Sequence, residues 1–353
     1  MTATVLNNNE LIPSLGFWGQ GWQRLKRNKV GFVSFWIVAV YLLLSVGGWC
    51  NLLVSNWAEE RAVPYAPPSW LAQTADDVLP PATPEELAEL AGTTEKPVYL
   101  QAEDDPIAKE LAEAKREAPK YFVQDPEKLK SLFFGADTRG RDVIQKVIKG
   151  ASVSVLVGIS GALLALTLGT VFGALSGYFG GKVDDVLTWF YSVFTSVPDM
   201  LLLLAFAAVA GRGISTIVLV MALTAWTGTY RLVRAEYMKL KNREYVQAAD
   251  AIGASHARRM FVHILPNISH LLLIQFSLLT VALIKYEAIL SFLGFGVGVG
   301  QVSLGSILAE TPAELVQGYW WQMLAVTLVM SVLVTAFSLL VDALRDALDP
   351  KVK

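Results

Sequence analysis

The chain has 353 residues, of which 54% are hydrophobic and only 17% charged, and its mean hydropathy is +0.45. A water-soluble fold carries about a quarter charged residues, so a soluble globular protein is excluded. A formal net charge of −2 leaves no concentrated basic surface for nucleic acid, and the lone Cys50 excludes an intrachain disulfide.

A helix needs about 20 apolar residues to cross a hydrocarbon core of ~30 Å. Six stretches qualify: 30–54, 152–178, 186–210, 214–230, 268–293 and 320–344. The first follows a long N-terminal segment, and its apolar run exceeds the ~7–15 residues of a secretory signal, so it reads as an uncleaved anchor. Phe17, Trp18 and Trp22 ahead of it suit an interfacial belt.

Lysine and arginine set the orientation. Arg24, Lys26, Arg27 and Lys29 precede the first span, and Arg231, Arg234, Lys239, Lys241, Arg243, Arg258 and Arg259 lie between the fourth and fifth. The positive-inside rule assigns both segments and both termini to the cytoplasm. The expected organisation is a cytoplasmic segment 1–29, a first span 30–54, an external insert 55–150, a core of five spans over 151–345, and a tail 346–353.

Within the insert, 64–84 is punctuated by proline and reads as irregular. Three short helices are expected after it. Thr83-Pro84-Glu85-Glu86 forms a capping box, Asp105-Pro106 opens a second helix, and Asp125-Pro126 opens a third over EKLKSLF. A solvated lid and a docking surface for an external partner both fit this composition.

Ionisable groups inside a span are costly and are presumed functional. Asp199 follows Pro198 near the middle of the third span. It reads either as part of a water-lined path or as a first-turn acid on a helix restarted by proline. Lys285 is expected to snorkel outward, and Glu287 lies near the external edge, at an outer gate or simply solvated.

The spans are interrupted at 243–267 by REYVQAADAIGASHARRMFVHILPN. Glu244 to Ile252 is helix-forming, and Gly253 stands where a helix ends in a left-handed turn. Ser255 can cap a second short helix through Val262, and Pro266 closes the segment. Two short helices in an elbow result. Ala249 and Gly253, four apart, are expected to share a face with almost no side-chain bulk, with Tyr245, Met260 and Phe261 as apolar anchors around it. A plain solvated basic loop is the alternative, and it has no need of such punctuation.

This stretch resembles the cytoplasmic loop of permease subunits of bacterial ABC importers, whose pattern is E-A-A, three residues, G, nine residues, I-x-L-P. Here the pattern falls on Gln247-Ala248-Ala249, Gly253, His263 and Leu265-Pro266, with glutamine and histidine at two departures. The wording HILPN is similar to that of dipeptide and oligopeptide importers. FFGADTRGRDV before the second span, GYFGGKVDD, EAILSFLGFG and the terminal LRDALDP also resemble family segments, whereas residues near 60–130 match none.

The resemblance implies an all-α membrane protein with six transmembrane helices, a type I ABC importer permease fold and a long periplasmic insert between helices 1 and 2. It implies peptide uptake across the inner membrane. The implied partners are a second, homologous permease, two ATP-binding subunits or a fused equivalent, a periplasmic or extracellular peptide-binding protein, the peptide itself and membrane lipid, with no nucleic acid. The coupling loop would comprise Glu244, Tyr245, Gln247, Ala248, Ala249, Gly253, Arg258, His263, Leu265 and Pro266, with Asp199 and Glu287 as candidates for the path or gate.

No catalytic residue, cofactor or metal is expected. The phosphate loop needs G-x-x-x-x-G-K-[ST], and at the only Gly-Lys pair, Gly181-Lys182, Ser176 and Val183 occupy two required positions. GFGVGVG lacks the glycine spacing of a dinucleotide loop and reads as an external turn. His256, His263 and His270 recur every seven residues, but Gly253 and Pro266 interrupt the helix that would align them, and zinc sites prefer closer pairs. The same scaffold importing a metal chelate, glutathione or a peptide antibiotic is an alternative, as is a membrane scaffold or enzyme that moves nothing.

Overall fold

The computed structural model describes residues 17–50, 52–71, 128–298 and 300–348. Chain contacts divide it into two compact units, Met1–Trp57 with Ile144–Lys353, and Ala58–Val143.

In the larger unit an amphipathic helix, α1 (Phe17–Arg27), leads through Asn28 into α2 (Lys29–Trp49), whose N-terminus is capped by the Asn28 side chain accepting from the Gly31 N–H at 3.0 Å. Then come α3 (Val143–Phe179), α4 (Gly181–Thr195), α5 (Asp199–Ala210) and α6 (Ile214–Leu240). The elbow pieces α7 (Glu244–Ala251) and α8 (His256–Arg258) lead into α9 (Ser269–Phe292). α10 (Leu304–Val316) and α11 (Trp321–Leu348) complete the unit. Among the described residues five helices are long and apolar enough to span a membrane, or six if the bent pair α4–α5 is one span.

That pair divides the third span expected over 186–210, in line with the reading in which proline restarts the helix before Asp199. α4 and α5 meet at 84°. The break falls at Ser196-Val197-Pro198, because Pro198 lacks the N–H that would continue the helix. α10 is an element the sequence reading did not include. It starts from a capping box in which Ser303 and Ser306 satisfy each other's backbone N–H groups.

α3 and α6 form the centre. Every fourth residue of one α3 face is glycine. A Cβ on Gly169, Gly173 or Gly177 would lie 2.5–2.7 Å from the α6 atoms Thr229 Cβ, Tyr230 O and Arg234 O respectively. Glycine therefore lets the two backbones touch, the small-residue packing that replaces hydrophobic driving force inside a membrane. Trp226, Tyr230 and Tyr237 of α6 are buried along this contact.

Helix directions follow from end contacts. The start of α3 (Lys146) meets the start of α11 (Gln322) at 3.2 Å, and the α2 residue Gly31 packs on Ala343 near the end of α11. The N-terminus of α2 and the C-terminus of α11 thus share the end of the bundle that carries the elbow.

The smaller unit is irregular among its described residues, as expected for the proline-rich stretch. The third insert helix is not formed where it is described. Leu129 and Leu132 instead make isolated bridges with Ala62 and Pro68, and Leu132 packs on Ala62, Ala66 and Ala136. Burial among alanines outweighs the local helix preference there. The other two expected insert helices lie outside the described residues. Asp137 fixes the DTRGRD turn, accepting from the backbone N–H groups of Arg139 and Arg141 and from Arg141 Nε at 2.7 Å.

A candidate coupling elbow and the clusters around it

α7 ends at Gly253, whose φ of +82° turns the chain back. Ser255 then caps α8, its Oγ accepting from the Arg258 N–H at 3.3 Å. The second piece does not stop at Val262, and Pro266 does not close it. A π turn (Arg259–Ile264) and a 3-10 turn (Leu265–Ile268) carry the chain without a break into α9. Pro266 cannot donate an α-helical hydrogen bond, and loosening then tightening the turn lets the helix pass it.

The elbow has a buried base. Val246, Met260, Ile264 and Ile268 pack on Ala174 of α3 and on Val233 and Tyr237 of α6, and Ala249 is buried as well. This corrects two expectations. Ala249 faces inward and shares no open face with Gly253, and Met260 is core, its carbonyl accepting from the Tyr237 hydroxyl at 3.1 Å. The open tip consists of Ala248, Ala251, Ile252 and Gly253, flanked by Glu244, Gln247, Arg258, Phe261, Val262 and Pro266. Ile252 is 86% exposed, an apolar side chain standing alone at the apex. No atom lies within 4 Å of where a Gly253 Cβ would stand.

Polar contacts hold the two pieces together. Asn267 Nδ2 donates to the Tyr245 hydroxyl at 3.2 Å and to the His263 carbonyl at 2.7 Å, and Gln247 Nε2 donates to the Asn242 carbonyl at 3.3 Å. Leu265 is half-buried against the same apolar base. Arg259 pairs with Asp250 at 2.6 Å across the turn and donates to His256 Nδ1 at 2.9 Å. Because a guanidinium only donates, His256 Nδ1 is an acceptor there, and the Tyr178 hydroxyl, 3.0 Å away, ties it to the end of α3. Among the described residues no group of three His, Cys, Asp or Glu is placed to hold a metal.

Beside the elbow lies a cluster that sequence reasoning missed. Arg234 of α6 grips Asp184 of α4 with two N–H···O bonds, Nε at 2.6 Å and Nη2 at 2.7 Å. Ser176 of α3 also donates to Asp184, and the Tyr230 hydroxyl lies 3.0 Å from Ser176 Oγ and 3.1 Å from Thr188 Oγ1. Tyr191 stacks on Tyr230, and Phe190 on Trp226. α4 has no buried residue of its own, so these contacts are what attach it to α6. The only sequence signal was an aspartate pair after GYFGGK.

At the opposite end, about 27 Å along α9, Glu287 is wholly buried. Its carboxylate accepts from Ser154 of α3 and from Ser291, both at 2.6 Å. Ser303 continues the chain of hydroxyls to Ser291, and Ser154 Oγ also accepts from the first N–H of α10. Simple solvation of Glu287 is therefore overturned, because it joins α3, α9 and α10. Lys285 is exposed. Asp199 is exposed in the first turn of α5, where an acid complements the positive helix end.

The comparisons with known proteins bear on this geometry. The family described as binding-protein-dependent transport system inner membrane component matches residues 169–353, and a second model, the N-terminal TM domain of oligopeptide transport permease C, matches 16–68. The first match covers more than half of the chain. The chain belongs to this family. Within it, the permease is 32% identical to a dipeptide transport system permease protein of Lactococcus lactis subsp. cremoris, over 96% of this chain and 92% of that protein. It is 36% identical to an oligopeptide transport system permease protein of Haemophilus influenzae, over 62% and 70%. It is also 28% identical to a peptidoglycan transport system permease protein of Agrobacterium fabrum, over 94% and 92%. The first and third alignments cover almost the whole chain, including residues near 60–130. The fold is that of an ABC importer permease, mostly helical and multi-span among the described residues, and the family match includes the elbow, the Asp184–Arg234 clamp and Glu287, though not its partner Ser154.

Proposed function

We propose that this permease forms, with a second permease subunit, the path for peptide uptake across the plasma membrane, and that its elbow receives the thrust of separate ATP-hydrolysing subunits. One observation carries the reading. The elbow exposes Ile252 at its tip with Phe261 and Val262 on its flank, while its base is one apolar cluster with the ends of α3, α6 and α9. A motor seated on the tip would move three span helices as one body. ATP can drive that motion only by favouring one arrangement of the motor over the other.

The remaining assignments follow. Positive-inside residues put the elbow and both termini in the cytoplasm and the 55–150 insert outside, where an external binding protein delivers the peptide. Asp199, open at the head of α5, offers a carboxylate to the ammonium end of a passing peptide, and Glu287 fastens the outer gate. The names of the dipeptide and oligopeptide relatives support the cargo class. A second cargo, a cell-wall peptide, follows from the name of the Agrobacterium relative.

The test is reconstitution of the permease with its second subunit, ATPase chains and binding protein in liposomes. ATP-dependent accumulation of labelled peptides is expected. Accumulation of cell-wall peptides alone selects the second cargo, and a permease that binds no ATPase chain overturns the reading.

A further inference from the structure

α2 and α11 pack side by side with a groove of about 550 Å³ open along their outer surface. Its floor is Ser34 and Ala336, both almost fully buried. Its walls are larger apolar side chains, among them Val33, Val332 and Leu339. Two small residues facing each other draw the helices together, and the larger residues on either side stand apart. The result is a shallow apolar slot, open to the outside along its length. A single hydrocarbon chain laid along it covers Ser34 and Ala336.

Lys29 closes the slot at the elbow end, exposed, as the first residue of α2. Arg24, Lys26 and Arg27 occupy the last turn of the neighbouring α1. α1 packs across the ends of α2 and α11, its Gly21 against Leu348 and its Trp22 on Phe35 at 5.3 Å. An amphipathic helix with exposed tryptophan and a basic end marks the level of the lipid headgroups. The slot thus runs from a cationic rim at headgroup depth into the hydrocarbon region, complementary in charge and polarity to one lipid class.

We infer that this groove is a binding site for a single anionic phospholipid, one acyl chain lying over Ser34 and Ala336 and the phosphate answered by Lys29. The site is independent of the cargo and of the elbow's partner, since it needs only the membrane and the α2–α11 pair.

The experiment uses the full-length chain extracted in mild detergent, with retained lipid counted by native mass spectrometry against equal amounts of palmitoyl-oleoyl phosphatidylglycerol and phosphatidylethanolamine. One phosphatidylglycerol should be retained, preferred about fivefold, the scale expected for one cation at an anionic lipid surface. Lys29→Gln should remove the preference and leave phosphatidylethanolamine binding unchanged. Ser34→Leu, which fills the floor, should lose both lipids. Equal retention of the two lipids by the unaltered chain, or unchanged retention in either variant, overturns the site. A photo-crosslinking residue at Val33 keeps the test independent of whether Ser34→Leu folds. In membranes containing the assembled transporter it should label phospholipid, and labelling of a protein chain instead overturns the inference.

Discussion

Asp184 and Glu287 are both carboxylates within the span bundle, one beside the elbow and one toward the opposite end. Asp184 meets a full positive charge through two parallel bonds, and the pair stays partly open, with side chains 16% and 30% exposed. Glu287 is sealed, and its described partners are neutral hydroxyls fixed on α3 and α9. An ion pair with access to water can shift or part at modest cost, because water replaces the lost partner. A buried carboxylate cannot part from its donors without stranding both. The contrast assigns give to the elbow end and fixity to the other, as a lever requires. It also explains why α4, with no buried residue, depends on the clamp to follow α6.

The strongest way to break this comparison is at the elbow tip. Gly253→Leu has open space for its side chain within the chain, so the only internal cost is the left-handed backbone, about 1–2 kcal/mol. The subunit should insert at normal levels, while peptide uptake falls by at least about tenfold, the equivalent of ~1.4 kcal/mol lost in motor binding. Normal uptake with the motor attached would show that the tip is not the handle.

The opposite end should answer differently. Glu287→Leu strands the Ser154 and Ser291 hydroxyls, at about 1–3 kcal/mol for each buried group left unsatisfied. The thermal transition of the purified subunit should fall clearly, and uptake should decline only with the amount of folded protein. If stability holds and uptake per folded molecule is lost, Glu287 belongs to the moving parts and the comparison inverts.

Arg234→Lys sharpens the other half. Lysine keeps the charge but not the planar fork that grips both Asp184 oxygens. Stability should change by less than about 1 kcal/mol, the range of a partly exposed pair. Uptake should fall severalfold while ATP hydrolysis by the complex continues. A parallel loss of hydrolysis would mean that the clamp only builds the motor's seat.

How much of this was legible in the sequence depends on how local each signal is. Span number and the elbow's turn were readable, because hydropathy over about 20 residues and a glycine between two helix-forming runs are local patterns. Pro198 signalled a break in the third span, but the 84° angle was hidden, since apolar length carries no direction. The Asp184–Arg234 pair was hidden because its members are 50 residues apart and meet only through the glycine face of α3. Met260 was read as an anchor beside an open face because the surface that buries it, Val233 and Tyr237 of α6, lies outside the stretch. Leu132 failed in the same way, its helix-like pattern overruled by packing on Ala62, Ala66 and Ala136.

The smallest effect should come from the second Arg–Asp pair. Asp250 and Arg259 also stand 2.6 Å apart, but Asp250 is 61% exposed, whereas Asp184 is 16% exposed and held by serine as well. Exposed pairs contribute about 0–1 kcal/mol, and Arg259 keeps its contact with His256 when Asp250 is neutralised. Asp250→Asn should therefore leave the thermal transition in place and uptake within about twofold of the unaltered transporter, a change of ~0.4 kcal/mol at most. Its distance matches that of Arg234 and Asp184, so the two variants separate geometry from surroundings. If Asp250→Asn lowers uptake as far as Arg234→Lys does, the pairs are equivalent. The elbow would then be held by charge alone, and burial at the clamp would carry no share of the coupling.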